Sequence, residues 1–246
     1  MNSPGRLRQG LRIGYGVWCW IAFVLIGTGA LVASLPVADL ALRRRLVRRA
    51  ARIFFGVAGI GFEVRGLERL PTGPCVVVAN HASYLDGVVM HAALPPRFAF
   101  VIKQEMVRVP LASLLLRRLG SEFVNRFDHQ RGAADARRVL RTTSSGQAIA
   151  AFPEGTFVAH EGIGRFHAGA FVVAARAGRP VVPVAIRGTR AVLHPTAILP
   201  GPGRIEVEIL PPLAVPAGSE REAALSLRAA ARRAILDATG EPDLDA

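Results

Sequence analysis

The sequence predicts a single mixed α/β domain, a central sheet flanked by helices, behind an N-terminal membrane-associated helical segment. Two observations predict this fold. Beyond about residue 60, short apolar runs alternate with helical patterns. Before that point, residues 13–35 carry no charge. We therefore divide the 246 residues into an anchor with a basic amphipathic helix (1–56), the α/β domain (57–240) and an acidic tail (241–246) that is expected to fray.

The uncharged segment 13–35 is the candidate membrane anchor. At about 1.5 Å per residue, a helix of this length crosses a hydrocarbon core roughly 30 Å thick. Tyr15, Trp18 and Trp20 cluster near one end, as interfacial aromatic residues do. Arginines flank the segment on both sides, so their distribution predicts no orientation, and a shallow hairpin in one leaflet stays open beside a full span. A cleaved signal peptide is a minor alternative.

A basic amphipathic helix is predicted over residues 40–55. Four arginines share one face of it, with apolar side chains largely opposite: Arg45, Arg48, Arg49 and Arg52. Such a helix suits an anionic headgroup layer, although a domain helix with a solvated charged face gives the same pattern. Residues 1–53 hold nine arginines and one acidic residue, which accounts for most of the net charge of +13. This placement favours an anionic lipid partner, and the chain shows no nucleic-acid-binding motif.

Seven strands and five helices are predicted beyond residue 60. The predicted strands are 62–64, 75–79, 98–102, 122–124, 148–152, 181–186 and 204–210. The predicted helices lie near 85–93, 110–118, 131–143, 168–177 and 219–238. The two cysteines, Cys19 and Cys75, lie in apolar surroundings, which predicts no disulfide framework.

A histidine and an aspartate follow the predicted strand 75–79. His81 and Asp86 are five positions apart, and in a continuous helix they would point about 140° away from each other. They can meet if His81 lies on the turn and Asp86 begins the next helix. Asp86 would then hold one ring nitrogen and leave the other to accept a proton, as in a general base. Alone, the pair is equally consistent with a capping aspartate beside an incidental histidine.

Three further groups of polar or charged residues lie at or just after the ends of predicted strands. The turn Phe-Pro-Glu-Gly-Thr at 152–156 presents Glu154 and backbone N–H groups. Lys103 is the one lysine among 31 basic residues, and with Arg126 it could hold a phosphate. Arg187, after strand 181–186, could add to an anion site, but a structural role is favoured for it and for nearby Arg190.

Other chemistries have weaker support. Ser83 raises a hydrolase interpretation, but the chain has no Gly-x-Ser-x-Gly motif. The six histidines show no metal-ligand spacing.

These segments, in this order, resemble the glycerolipid acyltransferase family typified by 1-acylglycerol-3-phosphate acyltransferase. Residues 80–86 are similar to its His-x4-Asp block, and 120–126 to its second block, which ends in Arg. Residues 152–156 match its Phe-Pro-Glu-Gly-Thr block letter for letter, and 182–184 resemble its fourth block. The resemblance covers roughly residues 60–215.

The resemblance implies acyl transfer from acyl-CoA or acyl-carrier protein to the sn-2 hydroxyl of 1-acylglycerol 3-phosphate, giving phosphatidate in phospholipid biosynthesis. It implies His81 as general base, Asp86 as its orienting partner, no covalent enzyme intermediate, no metal and no cofactor beyond the acyl co-substrate. The implied partners are a membrane phospholipid surface and a lysophospholipid acceptor, at the cytoplasmic side of the inner membrane. The implied substrate-binding residues are Lys103, Arg126, Glu154, Gly155 and Thr156.

Departures from the family pattern leave the identity of the acceptor lipid open. Phe157 and Val158 follow Thr156 where the family usually carries Arg and Ser, and His167 stands where it carries a lysine. The alternatives are another lysophospholipid, an amino-acid-derived lyso-lipid or a glycosylated lipid as acceptor. A non-catalytic lipid-binding protein and a membrane-anchored hydrolase are the alternatives from other classes.

Overall fold

The structure is a computed structural model that describes residues 4–124, 138–141, 143 and 146–245. Its helices are α1 (Pro4–Ser34), α2 (Leu40–Val57), α3 (Asp86–Ala93), α4 (Pro110–Arg118), α5 (Gly169–Ala177), α6 (Thr189–Val192) and α7 (Glu220–Thr239). Its strands are β1 (Gly61–Arg65), β2 (Val76–Ala79), β3 (Phe98–Lys103), β4 (Glu122–Val124), β5 (Ala148–Ala151), β6 (Val181–Arg187) and β7 (Arg204–Ile209). The mixed α/β prediction is confirmed, with all seven strands close to their predicted positions. The predicted helix 131–143 lies mostly outside the described residues.

The sheet brings five strand ends to one edge. Its order is β1-β7-β6-β2-β5-β3-β4. Strands β6, β2, β5, β3 and β4 run parallel to one another, while β7 is antiparallel to β6 and parallel to β1. The carboxyl ends of the five parallel strands therefore share one edge, where open α/β sheets place their ligand sites.

Each face of the sheet carries its own apolar core, because successive strand side chains point to opposite faces. In β2, Val77 and Ala79 face the core that α1, α2 and α3 cover. Val76 and Val78 face the core that α5 and α7 cover. All four residues are completely buried, which explains why β2 appears in the sequence as a continuous apolar run.

The N-terminal helices form a hairpin that is packed onto the domain. Cys19 and Ala22 of α1 and Phe54 and Phe55 of α2 belong to the same core cluster as the β2 side chains. The Tyr15 hydroxyl donates to the carbonyl oxygen of Ala58 at 2.8 Å. The indole N–H groups of the two predicted interfacial tryptophans likewise donate to domain-side carbonyl oxygens, Trp18 to Val57 and Trp20 to Ile198.

The arginines of α2 divide into two groups. Arg48 and Arg52 donate to the carbonyl oxygens of Ala92 and Ala93 at the end of α3, at 2.9–3.3 Å, where a cation also offsets the helix dipole. Arg45 and Arg49 are exposed, and so is Arg52, although its Nε donates to Ala92. The prediction of one lipid-facing basic face is therefore wrong for Arg48, and both Arg48 and Arg52 dock α2 onto the domain.

The outer surface of the hairpin is apolar. Within the described residues, Arg8–Ser34 is the one helical stretch long and apolar enough to cross a membrane. Many large apolar side chains of α1 are exposed to solvent although the helix packs on the domain. Exposed apolar side chains of α2 extend this surface. The exposed residues include Leu11, Val17, Trp18, Val24, Leu25 and Val32 on α1, and Leu42, Ile53 and Val57 on α2.

Candidate active site

The site begins with a link between two strand ends. Asn80 directly follows β2 and is buried. Its side-chain amide donates to the carbonyl oxygen of Ile186 at 2.9 Å and accepts from the Ile186 N–H at 2.7 Å. This two-way bond locks the end of β2 to the end of β6, so the next residue, His81, leaves the sheet in a fixed direction. The sequence predicted no such role for Asn80; a polar residue directly after a buried strand is the signal that could have indicated it.

His81 and Asp86 meet in the structure. The carboxylate Oδ2 of Asp86 lies 2.7 Å from Nδ1 of His81 and also accepts the backbone N–H groups of Ala82 and Ser83, at 2.6 and 2.8 Å. Asp86 is the first residue of α3, as the sequence required, and its side chain is completely buried, whereas that of His81 is 18% exposed. Because a carboxylate oxygen occupies Nδ1, Nε2 is the nitrogen available to accept a proton.

Ser83 cannot act as the nucleophile in this arrangement. Its hydroxyl is buried and donates to the carbonyl oxygen of Leu193 at 2.7 Å. The same oxygen accepts the backbone N–H of Leu85 at 3.3 Å. The side chain therefore stabilises the turn between β2 and α3, which removes the serine-hydrolase interpretation.

Aromatic rings enclose His81. Phe152 stacks on the imidazole with ring centroids 4.3 Å apart, and Phe157 meets it edge-on at 4.6 Å. Phe157 in turn contacts Tyr84, whose side chain is among the most exposed large ones of the described chain at 69%. The residue that departs from the family pattern, Phe157, therefore forms one wall of the site, which the sequence did not predict.

Glu154 is buried against the backbone of the site. Its Oε1 accepts the N–H of His81 at 2.7 Å and its Oε2 accepts the N–H of Gly164 at 2.9 Å. Its pKa is raised to about 7, mainly by burial; the two backbone donors oppose this rise, and the nearby carboxylates of Glu241 and Asp86 add to it. Glu154 thus connects the His81 turn with the loop before α5.

The raised pKa of Glu154 predicts that its contribution to stability grows as the pH falls. Because the folded carboxyl binds its proton near pH 7 and an unfolded one near its ordinary value, 4.5, the folded state gains stability from pH 8 down to about pH 5. We expect the difference in Tm between wild type and Glu154→Gln to shift in favour of wild type across this range. Thermal unfolding of both proteins in detergent measures it; a constant difference contradicts the prediction.

The remaining predicted site residues that the structure describes, Lys103, Gly155 and Thr156, lie at the same edge. Lys103 ends β3, beside β5, with its ammonium 3.6 Å from a Glu105 oxygen and its side chain 39% exposed. Gly155 adopts a φ of +80°, which favours glycine and lets the chain turn after Glu154. Thr156 is exposed. Arg126 lies outside the described residues, two positions after the end of β4.

Two arginines considered for an anion site have internal partners, in line with the structural role that the sequence favoured. Arg187 contacts the carboxylates of Glu206 and Glu208 and the carbonyl oxygen of Ala238. Arg190 contacts Glu241 and the carbonyl oxygens of residues 158–160. Within the part of the chain that the structure describes, no group of three or more His, Cys, Asp or Glu side chains could hold a metal ion.

Comparison with known proteins identifies the class. Residues 61–187 match the sequence model of the family described as Acyltransferase. This region contains β1 to β6 and every predicted site residue. The chain belongs to this acyltransferase family.

Individual relatives are named for lipid acyl transfer. A chloroplastic 1-acyl-sn-glycerol-3-phosphate acyltransferase of Brassica napus is 30% identical over 61% of this chain and 45% of its own length. The lyso-ornithine lipid O-acyltransferase of Pseudomonas aeruginosa is 34% identical over 74% of this chain and 66% of its own. The chain thus spans about half the length of the plant relative.

A solved structure confirms the fold. The 1-acyl-sn-glycerophosphate acyltransferase PlsC of Thermotoga maritima superposes with a TM-score of 0.77, covering 94% of this chain and 97% of that one. At 23% identity, this likeness concerns the fold alone. It includes the N-terminal hairpin, because so little of this chain lies outside the aligned region.

Proposed function

We propose that this chain is an O-acyltransferase that moves a fatty acyl group from acyl-CoA or acyl-carrier protein to the sn-2 hydroxyl of 1-acylglycerol 3-phosphate. The observation that carries the proposal is the His81–Asp86 pair at the carboxyl edge of the sheet, with Oδ2 on Nδ1 at 2.7 Å. The family match and the relatives named for this reaction support it.

In the proposed reaction, Nε2 of His81 takes the proton of the acceptor hydroxyl as its oxygen attacks the thioester carbonyl carbon. The tetrahedral intermediate collapses by breaking the carbon–sulfur bond, and the imidazolium returns the proton to the departing thiolate. The new ester forms in one transfer, without an acylated enzyme. Asp86 keeps the proton on Nδ1 and favours the imidazolium that forms during attack.

Glu154 has a positioning role in this proposal. Both of its oxygens are engaged by backbone N–H groups inside the protein, which favours positioning of His81 over direct binding of the acceptor. Lys103, Arg126, Gly155 and Thr156 remain the proposed contacts to the acceptor headgroup and phosphate. The enzyme would need no metal and no cofactor beyond its acyl donor.

A lyso-ornithine lipid is the second candidate acceptor. A relative named for this acceptor is 34% identical over 74% of the chain. In addition, the apolar ring of Phe157, rather than a cation, lies against His81. Both observations fit an acceptor without a phosphomonoester beside the reacting hydroxyl.

An acceptor panel tests the proposal. Purified protein in detergent micelles receives labelled acyl-CoA or acyl-carrier protein together with 1-acylglycerol 3-phosphate, lyso-ornithine lipid or no acceptor. Labelled phosphatidate supports the first candidate, and labelled ornithine lipid alone supports the second. Free fatty acid without acceptor would indicate a hydrolase, and no product from folded protein would indicate a lipid-binding role.

We also propose that the hairpin α1–α2 holds the protein on the membrane, with the active site on the cytoplasmic side. The exposed apolar side chains of both helices support this. On α2, exposed Arg45 and Arg49 lie between the exposed side chains of Leu42 and Ile53, an arrangement suited to anionic headgroups above acyl chains.

Exposed Arg45 and Arg49 of α2 should control binding to anionic lipid. Each basic residue near an anionic surface contributes about 1 kcal/mol, so the double change Arg45→Glu and Arg49→Glu should weaken binding to anionic vesicles by about 10-fold or more. Vesicle flotation measures it. The control, Arg221→Glu with Arg233→Glu, makes the same change in charge on exposed positions of α7, on the other face of the sheet. Equal losses in both variants would contradict a headgroup role for α2.

A further inference from the structure

The acidic segment after α7 does not fray, contrary to the sequence prediction. It runs along the loop before α5, where Asp243 and Ile163 form a parallel bridge. The N–H of Ile163 donates to the carbonyl oxygen of Pro242 at 2.9 Å, and the N–H of Leu244 donates to that of Ile163 at 3.1 Å. We call Glu241–Asp245 the strap, because it lies across this loop.

Side chains fasten the strap at both ends. Glu241 accepts the N–H of Gly162 at 2.8 Å and a guanidinium N–H of Arg190 at 3.1 Å. Arg232 of α7 pairs with Asp243 and also donates to the carbonyl oxygens of Ile163 and Gly164, at 3.0 and 3.1 Å. The pairing with Arg232 lowers the pKa of Asp243 to about 2.

Gly162 is shaped for this contact. Its φ is +127°, and a Cβ added to it would lie only 2.5 Å from Cγ of Leu244. The strap therefore rests directly on the backbone of the loop at a point where a side chain would push it away.

The loop under the strap leads into the active site. Residues 158–160 are held through their carbonyl oxygens by Arg190, which also binds the strap. The ring of Phe157, just before them, lies against His81. At the other end, the N–H of Gly164 donates to Glu154, which in turn accepts the N–H of His81.

We propose that the strap is a positioning element of the active site: it fixes residues 157–164 so that Phe157 and, through Gly164, Glu154 hold His81 in place. The proposal rests on the proposed acyltransferase function. It deepens that function by adding a segment that lies beyond the residues matched by the family model.

The strap also sets part of the charge around Glu154. Four charged or titratable groups act on or contact this carboxyl group: Glu241 of the strap, Asp86, Arg232, and His81 through its backbone. The change Glu241→Gln keeps an oxygen that can accept from Gly162 but removes the negative charge. We therefore expect it to lower the pKa of Glu154, which the pH dependence of Tm measures.

The test compares charge reversals at two ion pairs of α7. Asp243→Arg replaces the strap carboxylate that pairs with Arg232 of α7 by a second positive charge. Its matched control, Glu220→Arg, opposes Arg176, 2.9 Å away in an exposed pair that does not touch the loop. We expect kcat to fall on the order of 10-fold in Asp243→Arg alone, because small displacements of catalytic groups are costly, with the KM for the acyl donor unchanged.

A measurement without substrate tests whether the strap holds the loop, independently of the acyl-transfer reaction. Amide hydrogen exchange at residues 162–164 should accelerate in Asp243→Arg and not in Glu220→Arg, with Tm recorded for both. The proposal fails if exchange and kcat in Asp243→Arg match those of the control. A wild type inactive on every acceptor, with exchange behaving as expected, overturns the acyltransferase function and leaves the strap's hold on the loop intact.

Discussion

Replacing His81 by alanine is expected to lower kcat by about 10²- to 10⁴-fold, the usual contribution of a general base. The reason is geometric, since Asp86 holds Nδ1 at 2.7 Å and only Nε2 can take the acceptor proton. The largely buried side chain of His81 packs against Phe152 and Phe157, so alanine removes some packing as well. Initial rates of labelled product formation, at saturating donor and acceptor, measure the effect.

His194→Ala is the matched control for this loss. His194 is exposed and its ring contacts Thr196 in the loop after α6, so its removal should leave kcat within about 2-fold, as is usual for surface changes away from the site. Tm is measured for both variants, so that a loss of kcat caused by unfolding is recognised. If His81→Ala retains wild-type kcat in folded protein, His81 is not the base and the proposed mechanism falls.

Replacing Glu154 by glutamine should produce the second largest loss, on the order of 10- to 100-fold in kcat. Both carboxylate oxygens accept backbone N–H groups, from His81 and Gly164. An amide has one oxygen, and its NH₂ group cannot accept, so one of these buried donors loses its partner. His81 then moves relative to the acceptor, while the acceptor headgroup still binds.

The division between kcat and KM decides the role of Glu154. A positioning residue should lower kcat with little change in the KM for the acceptor, whereas a residue that binds the acceptor should raise that KM. Glu68→Gln is the matched control, since Glu68 is 77% exposed and lies 4.0 Å from Arg69, just after β1. A rise in acceptor KM with kcat preserved would restore the substrate-binding role that the family resemblance implied for Glu154.

The strands and the candidate pair His81–Asp86 could be found in the sequence because their signals are local. Buried parallel strands appear in a sequence as short apolar runs, and β2, β5 and β6 are such runs. The condition for contact between His81 and Asp86, a turn followed by a helix that begins at Asp86, could also be stated beforehand. Whether the two side chains actually touch depends on the fold, because Asn80 sets the direction of the turn through Ile186, more than a hundred residues away.

The functions of the arginines and of the strap could not be predicted, for a different physical reason. Arg48 and Arg52 bind backbone carbonyl oxygens of α3, and every residue has a carbonyl oxygen, so no side-chain pattern marks the partner. A helical projection shows which residues share a face but not what that face contacts. Likewise, Glu241 and Asp243 look like a solvated acidic end until Arg190 and Arg232 are brought beside them.

The short helix α3 connects the candidate active site with the N-terminal hairpin. Helix α3 begins with Asp86, which orients the base, and its last carbonyl oxygens are gripped by the α2 hairpin arginines. Its eight residues measure about 12 Å. In the proposed membrane-anchored enzyme, α3 would be a spacer of constant length that fixes the depth of the His81 imidazole relative to the bilayer. Selection among acceptors would then depend in part on how far the headgroup of each lipid rises from the membrane.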